Sequence, residues 1–255
     1  MIVGFLGAGN MAAAMARGWK AAAGGPERML FTDAGSGRAA RLAEEVGGEA
    51  ISSNGELAAQ AELLVLAVKP KQLDEVAAEA GAAPAVLSML GATPVSRVAE
   101  AFPGSAAMRC MPNLGVAVGS GVICFTAAAG VQPGRAQAVR ELLGPLGRVV
   151  ELEDPLIDPA TAVMGCTPAY FALVAEAIAD AGVAAGLDPE LSLALVVDSA
   201  AGTAELLRLQ RPAELREAVA SPGGSTEAGL QALAREGVPS AFRAAVDASL
   251  ERMRT

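Results

Sequence analysis

The sequence predicts an α/β chain with a doubly wound parallel sheet in its N-terminal part and an all-α C-terminal domain, and three observations predict it. Over residues 1 to about 150, short wholly apolar runs alternate with Ala-rich helical segments. Strands that are apolar on both sides belong to a parallel sheet covered on both faces. After Asp154 no strand pattern remains, and apolar residues recur three or four apart. At 255 residues the chain is long enough for two domains. The boundary is expected between them, giving 1–153 and 154–255.

The expected strands are 2–6, 29–32, 63–68, 85–89, 107–110 and 122–125, with helices at 11–23, 36–46, 54–61 and 71–80. Gly7, Asp33 and Pro70 punctuate the ends of the first three strands. Residues 110–134 carry no charge, yet Pro112, Asn113, Pro133 and five glycines make them a loop, two short buried strands and a turn rather than a spanning helix. In the second half, Val163, Thr167, Phe171, Val174, Ile178, Ala181 and Ala185 form one stripe over 157–186, with Glu176 and Asp180 to one side. Gly186 ends it, and Asp188-Pro189 opens the next helix. That helix is apolar nearly all round over 191–204 apart from Asp198, so it must be buried, in a domain core or against another subunit. Helices at 212–220, 225–236 and 238–254 complete the chain. A helical half so poor in polar faces points to an obligate homo-oligomer.

A formal charge of -9 argues against nucleic acid or an anionic membrane surface as partner. Mean hydropathy is positive, but the apolar stretches are interrupted, and a soluble protein is expected. The first strand starts almost at Met1, so no signal peptide is expected. Cys110, Cys124 and Cys166 lack metal-ligand spacing and are odd in number, which reads as buried thiols in a reducing cytoplasm, with no metal.

Two stretches carry the chemistry. Gly7-Ala8-Gly9-Asn10-Met11-Ala12 directly follows a strand and opens a helix. Gly7 permits the tight turn, Gly9 lets a pyrophosphate approach the backbone, and Ala12 allows close helix–strand packing, the features of a Rossmann-like dinucleotide site. Asp33 closes the second strand, 21 residues beyond Ala12, where a carboxylate accepts from an adenosine ribose. That leans toward NADH, while Ser36, Arg38 and Arg41 behind it suit the 2′-phosphate of NADPH or are plain solvated residues. Ala67-Val68-Lys69-Pro70 ends the third expected strand, with Lys69 either a phosphate or ribose contact or a surface turn.

The second stretch is Ser221-Pro222-Gly223-Gly224-Ser225-Thr226, a turn feeding a helix. Such a turn aims unpaired amides at one point, and the helix adds its positive dipole end. A small carboxylate fits there, with the Thr226 hydroxyl beside it. The chain has no histidine. Alcohol–carbonyl dehydrogenases need a proton carrier tuned near neutrality. An iminium arrives already protonated and needs only hydride, an orienting hydroxyl and amide donors.

With those residues in view, the chain resembles the pyrroline-5-carboxylate reductase family nearly end to end. The resemblance rests on Gly7–Ala12, Ala67–Pro70, Arg109-Cys-Met-Pro-Asn113, Pro168-Ala-Tyr170 and Ser221–Thr226. It implies a Rossmann domain followed by an all-α C-terminal dimerisation domain that interlocks with a partner's, so that active sites are shared between two copies. It further implies assembly of dimers into decamers, and reduction of L-1-pyrroline-5-carboxylate to L-proline by NADPH or NADH. By the matching motifs Thr226 is the catalytic hydroxyl on the ring nitrogen, and Gly223, Gly224, Ser225 and Thr226 hold the carboxylate. Asn54 matches a cofactor-ribose asparagine, or caps its helix. Leu90, Gly91 and Met111–Asn113 lie near the nicotinamide, with Asn113 also counted at the substrate.

The chain departs from the family pattern at Leu114-Gly115, at Met164-Gly-Cys-Thr167, at Asp198 and at Glu227, where a carboxylate stands beside the anion pocket. Two alternatives remain at this point. One is a related imine or β-hydroxyacid reductase, although 154–207 lack the lysine that the latter use. The other is a non-catalytic NAD(P)-binding sensor.

Overall fold

The computed structural model describes residues 1–254, without the side chain of Arg254, and Thr255, the last residue of the expected second domain, lies outside them. Its strands are β1 (Ile2–Leu6), β2 (Arg28–Thr32), β3 (Glu49–Ala50), β4 (Leu63–Leu66), β5 (Ala85–Ser88), β6 (Ala106–Pro112), β7 (Gly121–Ala127) and β8 (Gly147–Glu151). The helices packed on them are α1 (Asn10–Ala21), α2 (Arg38–Val46), α3 (Asn54–Gln60), α4 (Leu73–Ala80), α5 (Val95–Ala101) and α6 (Pro133–Leu143). All eight strands form one sheet in the order β3-β2-β1-β4-β5-β6-β7-β8. Every pairing is parallel except β6 with β7.

Alternation along each strand explains why both sides had to be apolar. Val3, Phe5, Leu63, Val65 and Leu87 join Met15, Trp19 and Leu143 on one face. Leu6, Leu64, Leu66 and Val86 join Leu57, Leu73, Val76 and Val98 on the other. Phe5 stacks on Phe31 at 5.2 Å between ring centres, and the Trp19 indole N–H donates to Leu142 O at 2.8 Å. That last bond satisfies the polar edge of an otherwise buried ring.

The sequence reading omitted β3, β8, α5 and α6. β8 is a half-exposed edge strand, Gly-Arg-Val-Val-Glu, so it offers no continuous apolar run. α5 spans seven residues after Thr93-Pro94, and α6 begins at Pro133, inside a stretch read as strand and turn.

The helical part consists of α7 (Asp154–Met164), α8 (Thr167–Ala184), α9 (Pro189–Leu209), α10 (Pro212–Val219), α11 (Ser225–Arg235) and α12 (Val238–Arg254). The single stripe expected over 157–186 is two helices, broken at Gly165-Cys166. Thr167 and Pro168 open the second, and the Thr167 hydroxyl turns back to Val163 O. The chain divides into two compact units, Met1–Pro168 with the described residues from Leu250 onward, and Ala169–Ser249. The expected boundary at 153/154 therefore precedes a helix, α7, that packs with the sheet: Ile157 and Ala162 are fully buried there.

Within the second unit, α8 and α9 meet where the buried Ser192 donates to Ala179 O at 2.8 Å. Otherwise their apolar residues face outward, with Phe171 61 %, Ile178 54 % and Leu195 53 % exposed. Asp154–Ala184 is long and apolar enough to cross a bilayer by length and composition. The break at Gly165-Cys166 interrupts it.

Candidate functional site

The expected nucleotide residues gather at the carboxyl edge of the parallel strands. Gly7 follows β1, Asp33 follows β2, Ala67 follows β4, Leu90 follows β5 and Asn113 follows β6. The strand order reverses between β1 and β4, where open α/β sheets take their ligands. Gly7 has φ +102°, and a Cβ on it would lie 2.6 Å from Ala67 O, so only glycine serves. Its amide donates to Thr32 O at 3.1 Å, which fixes the turn. Gly9 is the N-cap of α1, and a Cβ there would come no nearer than 3.9 Å to anything. The amides of Asn10, Met11 and Ala12, the first of α1, have no partner among the described residues. An open cradle of unpaired N–H groups at a helix N-terminus fits a pyrophosphate.

Beside this turn lies a groove of ≈ 530 Å³ lined by Thr32, Asp33, Asn54, Val68, Gln72 and Glu79, among others. Asn54 does not cap α3. Ser53 does, accepting from Glu56 N at 3.2 Å. The Thr32 hydroxyl donates to Asn54 Oδ1 at 2.6 Å, and Asn54 Nδ2 donates to Glu79 Oε2 at 2.6 Å. The amide group is thus held in one orientation in the groove. Sequence reasoning missed Thr32 and Glu79, which come from different elements and have no shared spacing.

Asp33 is committed to its own loop. It accepts from Gly35 N at 2.9 Å, Ser36 Oγ at 2.8 Å and Ala39 N at 2.9 Å. Burial works to raise its pKa, but the Ala39, Ser36, Gly35 and Arg38 donors together outweigh it and hold the carboxyl below its ordinary value. Arg38 and Arg41 are exposed behind it. Lys69 is exposed too, and its amide donates to Gln72 Oε1 at 3.2 Å in a 3-10 turn.

Two further turns finish this edge. The buried Leu90 donates its amide to Ser88 Oγ at 3.2 Å, and Ala92 after Gly91 adopts φ +51°. A left-handed alanine costs about 1 kcal/mol, and the Thr93 hydroxyl braces the turn on Gly91 O at 3.0 Å. Asn113 is spent internally, with Nδ2 donating to Met164 O at 3.2 Å and Oδ1 accepting from Val122 N at 3.1 Å. It therefore ties β6 to β7 and α7. Arg109, 1 % exposed, anchors the same helix. It reaches Asp154 at 3.2 Å and Asp158 at 2.5 Å, while Asp154 also accepts from Val95 N.

In the second unit, Ser221–Thr226 forms a turn that leads into α11. Gly223 has φ +72°, and a Cβ on Gly224 would lie 2.6 Å from Ser221 Oγ. Gly224 N closes the turn on Ser221 O at 2.9 Å. The amides of Ser225 and Thr226 have no partner among the described residues, and both residues are exposed. Glu227 is half-buried, and its Oε2 accepts from Gly223 N at 2.7 Å. The loop thus leaves two amides free, with a hydroxyl beside them and the Glu227 carboxylate folded back on the turn. Among the described residues no His, Cys, Asp or Glu group could hold a metal ion.

Comparison with known proteins covers the whole chain. Residues 154–255 match the family model for pyrroline-5-carboxylate reductase dimerisation. Residues 2–90 match the model for coenzyme F420-dependent NADP oxidoreductase. A relative from Synechocystis sp. named pyrroline-5-carboxylate reductase is 37 % identical, covering 98 % of this chain and 96 % of its own. The crystal structure of 1-pyrroline-5-carboxylate reductase from Streptococcus pyogenes matches with TM-score 0.92 at 28 % identity, covering 100 % and 98 %. That of Plasmodium falciparum pyrroline carboxylate reductase with NADP bound matches with TM-score 0.89 at 27 % identity, covering 100 % and 97 %.

Proposed function

The chain belongs to the pyrroline-5-carboxylate reductase family, and from that premise we propose how its residues divide the work. It is an NAD(P)H-dependent oxidoreductase acting on a C=N bond. The reaction is reduction of L-1-pyrroline-5-carboxylate to L-proline, in proline biosynthesis. One observation carries the site assignment: a histidine-free chain holds both a pyrophosphate cradle at the sheet's switch point and a hydroxyl-bearing amide seat at the N-terminus of α11.

The bound dihydronicotinamide supplies the hydride. On the protein's side, the Gly7–Met11 turn binds the pyrophosphate, and Asn54, held by Thr32 and Glu79, meets a ribose. Ala67–Pro70, Leu90 and Gly91 form the wall for the nicotinamide end, and Asn113 fixes the backbone beside them. At the α11 seat the amides of Ser225 and Thr226 hold the substrate carboxylate, with Gly223 and Gly224 giving the loop its shape. The Thr226 hydroxyl orients the ring nitrogen. The iminium carries its own proton, so hydride addition to the C=N carbon leaves a neutral ring amine and asks no acid of the protein. Fixed donors of this kind act with no reorganisation cost during the reaction.

Either NADPH or NADH fits this reading. Asp33 was the reason to lean toward NADH, and its oxygens already serve Gly35, Ser36 and Ala39. The exposed apolar faces of α8 and α9 are covered by a second copy, so the working unit is a homodimer with shared active sites. The protein is soluble and works in the cytoplasm. Burial pushes the thiols of Cys110 and Cys124 up in pKa and leaves them unreactive.

The experiment is the initial rate of NADPH or NADH oxidation with pyrroline-5-carboxylate, for wild type and Thr226→Ala. The wild type turns over. The variant loses at least about tenfold, since a hydrogen bond to a charged group is worth roughly 1.5–3 kcal/mol. An equally active variant removes Thr226 from the chemistry.

A further inference from the structure

The turn before α11 already carries a carboxylate beside its free amides, and it is the protein's own: Glu227 Oε2 accepts from Gly223 N. We propose that Glu227 is a specificity-determining residue, an internal anion beside the seat that repels the substrate's carboxylate and so lowers the enzyme's preference for carboxylate-bearing cyclic imines. The proposal rests on the reading of Ser225–Thr226 as the seat of that carboxylate.

The geometry is specific. Glu227 is the third residue of α11, and its Oε2 folds back to accept from Gly223 N at 2.7 Å. The N-cap of α11 is Gly224, so Glu227 reaches one residue beyond it, to the amide of the turn itself. Here the amide it reaches belongs to the turn that should receive the ligand. Gly224 N is used by Ser221 O and Gly223 N by Glu227, so the substrate is left the amides of Ser225 and Thr226, directly before the charged residue in the chain. The half-buried setting of Glu227 weakens solvent screening of its charge. The described hydrogen bonds and ion pairs give its carboxylate no cationic partner.

Two consequences follow from one charge. A second carboxylate entering the seat meets like-charge repulsion, or must first turn Glu227 out to solvent, and either cost weakens binding of the acid. A cyclic iminium without a carboxylate meets no repulsion, and the nearby negative charge favours its positive nitrogen. The wild-type enzyme therefore separates pyrroline-5-carboxylate from 1-pyrroline less sharply than the same site with a neutral residue at 227.

The test is Glu227→Gln, whose amide oxygen still accepts from Gly223 N, so the turn is kept. Steady-state kinetics are measured on both imines for wild type and variant, with melting temperature as the check on folding. The ratio of kcat/KM for pyrroline-5-carboxylate over 1-pyrroline is expected to widen at least about fivefold, through a lower KM for the acid. A ratio that stays constant or narrows overturns the proposal. Thr226→Ala separates this failure from that of the underlying reading. If Thr226→Ala is impaired on both imines while the Glu227→Gln ratio is unmoved, this loop does meet the substrate and Glu227 does not tune it. If Thr226→Ala keeps the wild-type rate on both imines, the seat itself is wrong and the proposal falls with it.

Discussion

Asp33 closes β2 with both carboxylate oxygens accepting hydrogen bonds from the loop that follows, including the amide of Ala39 in the first turn of α2. It does the work of an N-cap, because Gly37 at the cap position has no side chain to offer. Its folded pKa is depressed, so its stabilisation is present above the unfolded value and lost as pH falls through the folded one. Asp33→Ala is expected to lower unfolding free energy in urea by about 1 kcal/mol at pH 7. That gap should narrow as pH falls below the unfolded aspartate value and through the depressed folded one. Because Asp33 serves the loop, the ratio of NADH to NADPH activity should be unchanged in the variant. A selective loss with NADH would show that the carboxylate does hold the ribose.

The turn between β1 and α1 works as a unit. Gly7 sits at φ +102° with Ala67 O where a Cβ would be, and the amides that follow are left for a ligand. Gly7→Ala pushes the turn away from β4 and misaims those amides, which is expected to weaken NAD(P)H binding at least about tenfold, some 1.4 kcal/mol. Titration of the cofactor's fluorescence measures it, and an unchanged dissociation constant would remove this turn from the binding site. The motif that marks this turn was legible because all its parts are contiguous in the chain. Asn54 was legible only as one candidate among two. Its support from Thr32 and Glu79 joins β2, α3 and α4, and no local spacing announces such a contact.

Across the molecule, apolar surface is distributed unevenly. The sheet buries its side chains in two clusters, whereas α8 and α9 leave Phe171, Ile178, Leu195 and Leu207 around an open cavity of ≈ 450 Å³. Apolar surface of that extent marks an interaction face, and the dimerisation model matched by 154–255 is the ground for proposing a second copy as its occupant. Leu195→Asp places a charge on that apolar face. It is expected to shift the light-scattering mass toward a single chain, and to make both melting temperature and activity depend on protein concentration. A variant with unaltered mass would place the interface elsewhere, and the wild-type mass in the same run separates a dimer from a decamer.

Periodicity, composition and contiguous motifs determined the class of the chain without reference to any contact: the strands β1, β2, β4, β5, β6 and β7, the all-helical second half and both glycine-rich turns. These are properties of neighbours in sequence, where hydrophobic pattern and backbone sterics act directly. Long-range contacts decided the rest. The edge strands β3 and β8 exist only because a sheet is there to pair with them. α7 joins the first unit because Arg109 on β6 requires its aspartates. Asp33, Asn113 and Glu227 each acquired their role from the donor that folding brought within reach, and a side chain's partner is set by the fold rather than by its residue type.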